Sequence, residues 1–275
     1  MGAEPFRFVD TKAMPWEPWH PQYPGTYAKT LIENKETGEN LKVAFVPTGF
    51  KMPKHTRHHH GPTREFVYIM FGNVPYVEYD GPTMTKGRPI NFKEGQLLDR
   101  PPRSIHGMSI DPVTTLGCFL LEWGTGPLSF NYIPFEGDLA ALGTDYNPAH
   151  VGDTEKLPWE PHPRVKGWKI KRLSIGGKSP VPGYHPVVIV HIPPGWQPEA
   201  GMKRGDVQPV RRWIYGLHGD APVWVYPTAD AKSGTRFDLK EGGWVEWTGP
   251  AALGFEAGAA SEIGAELLCV GHELA

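Results

Sequence analysis

The chain has 275 residues, of which 39% are hydrophobic and 21% are charged, and its formal net charge is -2. This composition is ordinary for a soluble globular protein, and the length suffices for one large domain or two small ones. A net charge this close to zero argues against nucleic acid or an anionic membrane surface as a partner.

The two cysteines and the lack of long apolar segments indicate the redox state and the location of the protein. Cys118 and Cys269 lie inside apolar, strand-like runs, so we expect small core residues and no disulfide framework. The segment from Met1 to Asp10 lacks the apolar region of a secretory signal, and no apolar run approaches the length of a transmembrane helix. The sequence therefore predicts a cytoplasmic protein.

Proline and glycine, 30 and 33 residues, separate short apolar runs at fairly even spacing. This pattern is typical of an all-β sandwich or barrel and leaves little helical periodicity. In chain order the predicted strands are Leu41 to Val46, Glu65 to Phe71, Pro75 to Tyr79, Leu116 to Trp123, Val187 to Ile192, Arg212 to Leu217, Val223 to Tyr226 and Ala265 to Val270.

A histidine-rich stretch precedes the second of these strands. In an extended segment His58 and His60 share one face while His59 faces away, and Glu65 can return to the same point from the next strand. Two imidazoles and a carboxylate at one point suit a divalent metal. The alternative is a solvated polar loop, since histidine-rich tracts are only a compositional sign of metal binding.

The spacing of two motifs resembles the cupin superfamily. The first motif reads His58-x-His60-x4-Glu65-x6-Gly72, and the second reads Gly95-x5-Pro101-x4-His106. The second motif departs from the cupin pattern by having Arg103 where glycine is usual. The resemblance implies small antiparallel barrels in which His58, His60, Glu65 and His106 bind one divalent metal ion per chain. Fe(II) is favoured, and Mn, Ni, Zn or Cu are also compatible.

The second half of the chain repeats the first. Phe66-Val67-Tyr68 and Gly72-Asn73-Val74-Pro75 align with Trp213-Ile214-Tyr215 and Gly219-Asp220-Ala221-Pro222, an offset of 147 residues from Gly72 to Gly219. Each copy is long enough to bury its own core. We therefore predict an all-β protein of two tandem cupin, or jelly-roll, barrels: residues 1–145 with the metal site, then residues 146–275. Phe135 to Pro163 is predicted to be an ordered linker.

The same offset predicts that the second barrel is degenerate. It places Gly205, Val207, Arg212 and Leu253 where the first barrel has its four ligands. Glycine, valine and leucine offer no side-chain donor, and a guanidinium does not coordinate a cation. We expect a metal-free, structural barrel, although Arg212 could instead contact an anion in a second pocket.

Three functions are compatible with such a site. The favoured one is an Fe(II) dioxygenase that cleaves a small aromatic, enediol or β-diketone substrate. An alternative is an oxygen-independent isomerase, lyase or cyclase in which the metal acts as a Lewis acid, and a third is a non-catalytic binder. Arg103, beside His106, could pair with a substrate carboxylate or enolate or be a solvated loop residue. The expected partners are a small organic substrate and a second copy of the chain in a homodimer, with neither nucleic acid nor membrane.

Overall fold

The computed structural model describes residues 6–52, 57–79, 87–108, 114–132, 149–173, 186–199, 205–207, 212–228, 230–247, 251–255 and 261–272. Regular structure in these residues consists of β-strands and short 3-10 turns, which confirms the predicted all-β class. Within the same residues, no helix is long and apolar enough to cross a membrane.

The strands are numbered in chain order. The first twelve are β1 (Phe6–Asp10), β2 (Glu17–Pro18), β3 (Tyr27–Glu33), β4 (Asn40–Val46), β5 (His58–His59), β6 (Glu65–Tyr79), β7 (Arg88–Lys93), β8 (Gln96–Arg100), β9 (Ile105–Met108), β10 (Cys118–Gly124), β11 (Asn131–Tyr132) and β12 (His150–Asp153). The others are β13 (Glu160–Pro161), β14 (Lys169–Leu173), β15 (Val187–Ile192), β16 (Gly205–Val207), β17 (Arg212–Tyr226), β18 (Thr235–Lys240), β19 (Gly243–Trp247), β20 (Ala251–Gly254) and β21 (Ala265–Val270).

The chain forms two compact units, each with its own antiparallel sheet. The N-terminal unit holds the described residues from Pro15 to Glu155, and its main strand order is β11-β5-β9-β6-β10-β4-β3-β2. The C-terminal unit holds the later residues together with those before Pro15, in the order β1-β19-β17-β21-β15-β14-β13. Each unit therefore contains a strand from the beginning of the other repeat.

Those two strands occupy equivalent places. β1 pairs with β19 and β12 pairs with β8, both antiparallel. After each strand a threonine is anchored to a glycine carbonyl: Thr11 N and Oγ1 donate to Gly242 at 2.9 and 2.6 Å, and Thr154 N and Oγ1 donate to Gly95 at 3.0 and 2.6 Å. Part of the segment predicted to be a linker is thus a strand of the N-terminal sheet, while its residues 135–148 lie outside the described residues.

The long strand β6 differs from the sequence prediction, which expected separate strands on either side of Gly72. The chain continues through Gly72 with φ +78°, beside an irregularity in the pairing with β10. Glycine adopts this conformation without a Cβ penalty and commonly marks a bulge in a strand. As a result one continuous strand carries Glu65 at its beginning and Glu78 near its end.

Each unit buries its own apolar core. In the N-terminal unit Val67 and Ile69 alternate with Glu65 along β6 and pack against Leu98 and Leu120. The C-terminal core is equally apolar and includes Trp168, Ile214 and Trp247. Glu65 therefore lies on the same face of β6 as the apolar core of the N-terminal unit.

Candidate metal centre

The structure brings His58, His60 and His106 together. His58 in β5 pairs directly across the sheet with His106 in β9. His60 follows two residues later, and one ring nitrogen from each of the three histidines lies within 4.8 Å of the others. All three side chains are buried. The group has the composition and spacing to hold a metal ion.

Backbone carbonyls orient two of these rings. Nδ1 of His60 lies 3.1 Å from the Ser129 carbonyl oxygen, and Nδ1 of His106 lies 3.2 Å from the Ser104 carbonyl oxygen. A carbonyl only accepts, so each Nδ1 must carry the proton and each Nε2 keeps its lone pair. Such outer contacts commonly fix the tautomer of a metal-ligating histidine.

Burial keeps the imidazoles neutral. It lowers the pKa of His58 and of His106 well below the usual range, with neighbouring positive charges acting in the same direction. Burial also lowers the pKa of His60, although Glu65 opposes this effect. A metal binds the unprotonated imidazole, so these histidines are ready to coordinate at neutral pH.

Glu65 begins β6 and approaches two of the three histidines, although it is not part of the group of three mutually close donors. Its Oε2 lies 3.5 Å from His106 Nε2 and 3.7 Å from His60 Nε2. The same oxygen accepts a hydrogen bond from Arg100 Nη1 at 2.9 Å. Burial by itself would raise the pKa of Glu65, but the charge and hydrogen bond of Arg100, together with the interactions with His60 and Glu122, outweigh it and the net shift is downward.

The donor set fits a divalent ion. Donor atoms that each lie about 2.1 Å from one ion are about 3 to 3.5 Å from one another, close to the separations of the Glu65 oxygen from the two Nε2 atoms. Nδ1 of His58 is buried and has no hydrogen-bond partner within the part of the chain that the structure describes. A buried polar atom without a partner is costly, and a bound ion at the centre would order this ring.

His59 and Arg103 have other contacts. His59 is half-buried, and its Nδ1 accepts the backbone N–H of Gly61 at 2.9 Å, so the nitrogen lone pair is occupied. Arg103 is exposed and has φ +65°, a left-handed conformation that favours glycine and is uncommon for other residues. Its N–H donates to the Gly61 carbonyl at 3.0 Å and joins the loops of the two motifs. A substrate contact by Arg103 stays a prediction.

Aromatic side chains flank the histidines. The Phe130 ring lies 4.7 Å from His58 and 5.3 Å from His60, and Tyr132 stacks on Phe130 at 6.0 Å. On other sides Tyr23 meets Phe130 at 5.7 Å and Tyr76 meets His106 at 6.2 Å. These rings form a largely apolar wall beside the donor atoms, which suits a small organic ligand.

Sequence reasoning missed three buried charged residues beside Glu65: Glu78, Arg100 and Glu122. Burial, reinforced by the Glu65 charge, raises the pKa of Glu122 to about 8, and its protonated carboxyl donates a hydrogen bond to Glu65. A signal was available for two of them, because Glu78 and Glu122 each interrupt an apolar run within a strand, whereas Arg100 ends its strand. At the offset of 147 residues their counterparts are Val225, Trp247 and Cys269.

The C-terminal unit keeps the backbone register of the site but not its side chains. Gly205 pairs with Leu253 across β16 and β20, as His58 pairs with His106. Arg212 pairs with Trp247, as Glu65 pairs with Arg100. The side chains of Val207 and Arg212 lie outside the described residues. The register supports the residue equivalences that the sequence repeat predicted.

Known proteins share the architecture. No protein-family model matches the sequence, and no curated protein matches it either. Among solved structures, a Nostoc punctiforme protein provisionally assigned as a dioxygenase is 13% identical, covering 96% of this chain and 81% of its own, with a TM-score of 0.63. A variant of Bacillus subtilis oxalate decarboxylase OxdC is 12% identical over 96% of this chain and 76% of its own, with a TM-score of 0.60.

A third solved structure is Streptomyces albus HEPD with 2-hydroxyethylphosphonate and Fe(II) bound. It is 11% identical over 97% of this chain and 76% of its own, with a TM-score of 0.60. The chain has the cupin fold. At these identities the likeness establishes the fold alone, so the chemistry of this chain must be argued from its own residues.

Proposed function

We propose that the N-terminal unit is the active half of a non-haem Fe(II) dioxygenase that cleaves a small aromatic, enediol or β-diketone substrate. The observation that carries this proposal is the convergence of three neutral, buried imidazoles and Glu65 beside an aromatic wall. Mixed histidine and carboxylate sites with open positions are typical of Fe(II) oxygenases. The assignment of the Nostoc protein and the Fe(II) in Streptomyces albus HEPD agree with this choice.

Each group of residues has a distinct task. His58, His60, His106 and Glu65 would hold the iron, which supplies the redox chemistry with dioxygen that protein side chains lack. Phe130 and Tyr132 cover His58 and exclude water from its side of the site. The protein's contribution is to hold the reactants in a reacting geometry within an apolar environment.

A second candidate is an oxygen-independent isomerase, lyase or cyclase. The observation that favours it is Glu122, a buried carboxyl whose pKa is raised by burial to about 8. Such a group carries a proton near neutral pH and can deliver or accept it, as general acid–base catalysis requires. Bacillus subtilis OxdC shows that the same fold accommodates an oxalate decarboxylase.

Oxygen consumption separates the two candidates. With Fe(II)-loaded protein and a panel of catechols, hydroxyketones and diketones, we expect uptake of about one dioxygen per substrate consumed. A Clark electrode and product analysis would measure it, with the His58→Ala variant as the inactive control. Equal turnover in the absence of oxygen would instead establish the isomerase, lyase or cyclase class.

The C-terminal unit is proposed to be metal-free and structural. We expect purified protein to bind about one divalent ion per chain, because valine and leucine in the second unit provide no donor. Inductively coupled plasma analysis of metal per chain would check this. Two ions per chain would contradict the proposed division of labour between the units. Homodimer assembly and a cytoplasmic location stay predictions from the sequence.

A further inference from the structure

A buried cation lies next to the proposed metal centre. Arg100 is 1% exposed, and its guanidinium packs over the Tyr76 ring at 4.7 Å from the centroid. Nη1 donates to Glu65 Oε2 at 2.9 Å, while Nε and Nη2 both donate to Glu78 Oε1, at 3.1 and 2.5 Å. Arg100 is thus shared by two buried carboxylates, of which Glu65 also lies beside the ring nitrogens of His60 and His106.

Arg100 and a bound metal ion would contact the same carboxylate oxygen, so their positive charges would lie close together. The oxygen that Arg100 contacts, Oε2 of Glu65, is the same atom that lies beside Nε2 of His60 and His106. A divalent ion at that atom would be repelled by the guanidinium, since charges interact strongly where water is excluded. Glu78 is the counter-charge that offsets this repulsion and takes two of the three hydrogen bonds that Arg100 makes to carboxylates.

The C-terminal unit indicates that the barrel itself does not require this pair. Val225 pairs with Leu253 there, as Glu78 pairs with His106, and Trp247 replaces Arg100 at the equivalent register position. Buried ion pairs cost desolvation energy and are often replaced by apolar residues without loss of stability. Glu78 and Arg100 are present in the unit that has the histidines and absent from the unit that lacks them.

A neighbouring ion pair contains an acid that the C-terminal unit retains, unlike Glu78. Arg64, the residue before β6, binds Asp99 of β8 through Nε and Nη2 at 2.6 and 2.5 Å. Asp99 directly precedes Arg100, so its side chain points to the opposite face of β8. Its counterpart Glu246 is also a buried acid and contacts Arg7 at 3.4 Å. A carboxylate at this position is therefore common to both units and independent of the histidines.

We propose that Glu78 is a positioning residue that sets the metal affinity of the centre: it neutralises Arg100 and so leaves the Glu65 carboxylate able to bind a cation. The inference rests on the metal-binding part of the proposed function and is independent of the reaction catalysed. It assigns a role to a residue that touches neither the histidines nor Glu65 in the hydrogen bonds described. Partners of this outer kind typically change metal affinity by about 10- to 100-fold when removed.

The proposal is tested by titrating the EDTA-treated 275-residue chain with Co²⁺ and measuring the binding by calorimetry. We expect Glu78→Gln to weaken Co²⁺ binding by about 10- to 100-fold, because an uncompensated guanidinium then faces the ion. The double variant Glu78→Gln with Arg100→Gln removes both charges, so its affinity should return to within about threefold of wild type. Asp99→Asn should stay within about threefold of wild type, because its pair lies on the other face of the strands.

Three results would overturn the inference. Glu78→Gln could bind Co²⁺ with wild-type affinity, Asp99→Asn could lose as much Co²⁺ affinity as Glu78→Gln, or the double variant could bind Co²⁺ no more tightly than Glu78→Gln. The last two would mark a purely structural ion pair. A His58→Ala variant distinguishes this failure from failure of the centre. Undiminished Co²⁺ binding by His58→Ala would refute the metal site itself, whereas lost binding there with unchanged Glu78→Gln would refute only the role of Glu78.

Discussion

Replacing His60 by alanine is expected to weaken metal binding by more than about 100-fold. Removing an outer partner of a ligand typically costs about 10- to 100-fold, and removing the ligand itself should cost more. The Ser129 carbonyl fixes the tautomer of the His60 ring, which leaves the Nε2 lone pair available. This Nε2 lies 3.7 Å from Glu65 Oε2. Metal content after dialysis and a calorimetric titration would measure the loss.

His59→Ala is the matched control for that experiment. His59 adjoins His60 in the chain, but its Nδ1 accepts the Gly61 N–H at 2.9 Å and it is outside the group of three histidines. We expect its metal affinity to remain within about threefold of wild type, which is far below the effect of losing a ligand. Equal metal loss in the two variants would mean that the face assignment of this segment is wrong.

Replacing Gly72 by alanine is expected to lower the free energy of unfolding by at least about 3 kcal/mol, since backbone strain and overpacking act together. The position has φ +78°, which costs a non-glycine residue about 1 to 2 kcal/mol. A Cβ at this site would also lie 1.9 Å from the Gly117 carbonyl oxygen, so the two paired strands would have to separate. Chemical denaturation followed by tryptophan fluorescence would measure the change in unfolding free energy.

Gly49→Ala separates the two causes of that loss. Gly49 has φ +73°, yet an added Cβ would meet no atom within 4 Å. We therefore expect only the backbone penalty, about 1 to 2 kcal/mol. If Gly72→Ala and Gly49→Ala lowered the free energy of unfolding equally, the close approach of β6 to the segment before β10 would contribute nothing to the loss at Gly72.

Much of the architecture could be predicted from local sequence. The short apolar runs between prolines and glycines predict strands, and β15 and β21 have the bounds expected for them. The offset of 147 residues indicates two copies of one fold, and the register of Gly205 with Leu253 follows the register of His58 with His106. These features are readable because periodicity, turn residues and repeats depend on neighbours in the chain.

The sequence alone therefore determined the strand-rich class, the repeat and the convergence of His58 with His60, since side chains two residues apart share a face of an extended segment. Only the tertiary structure decided that Ser129 and Ser104 orient the rings, and that Arg100 lies between Glu65 and Glu78. It also decided that β1 and β12 each pair into the sheet of the other repeat. Such contacts join residues remote in the chain, and their energies depend on burial, which no local pattern specifies.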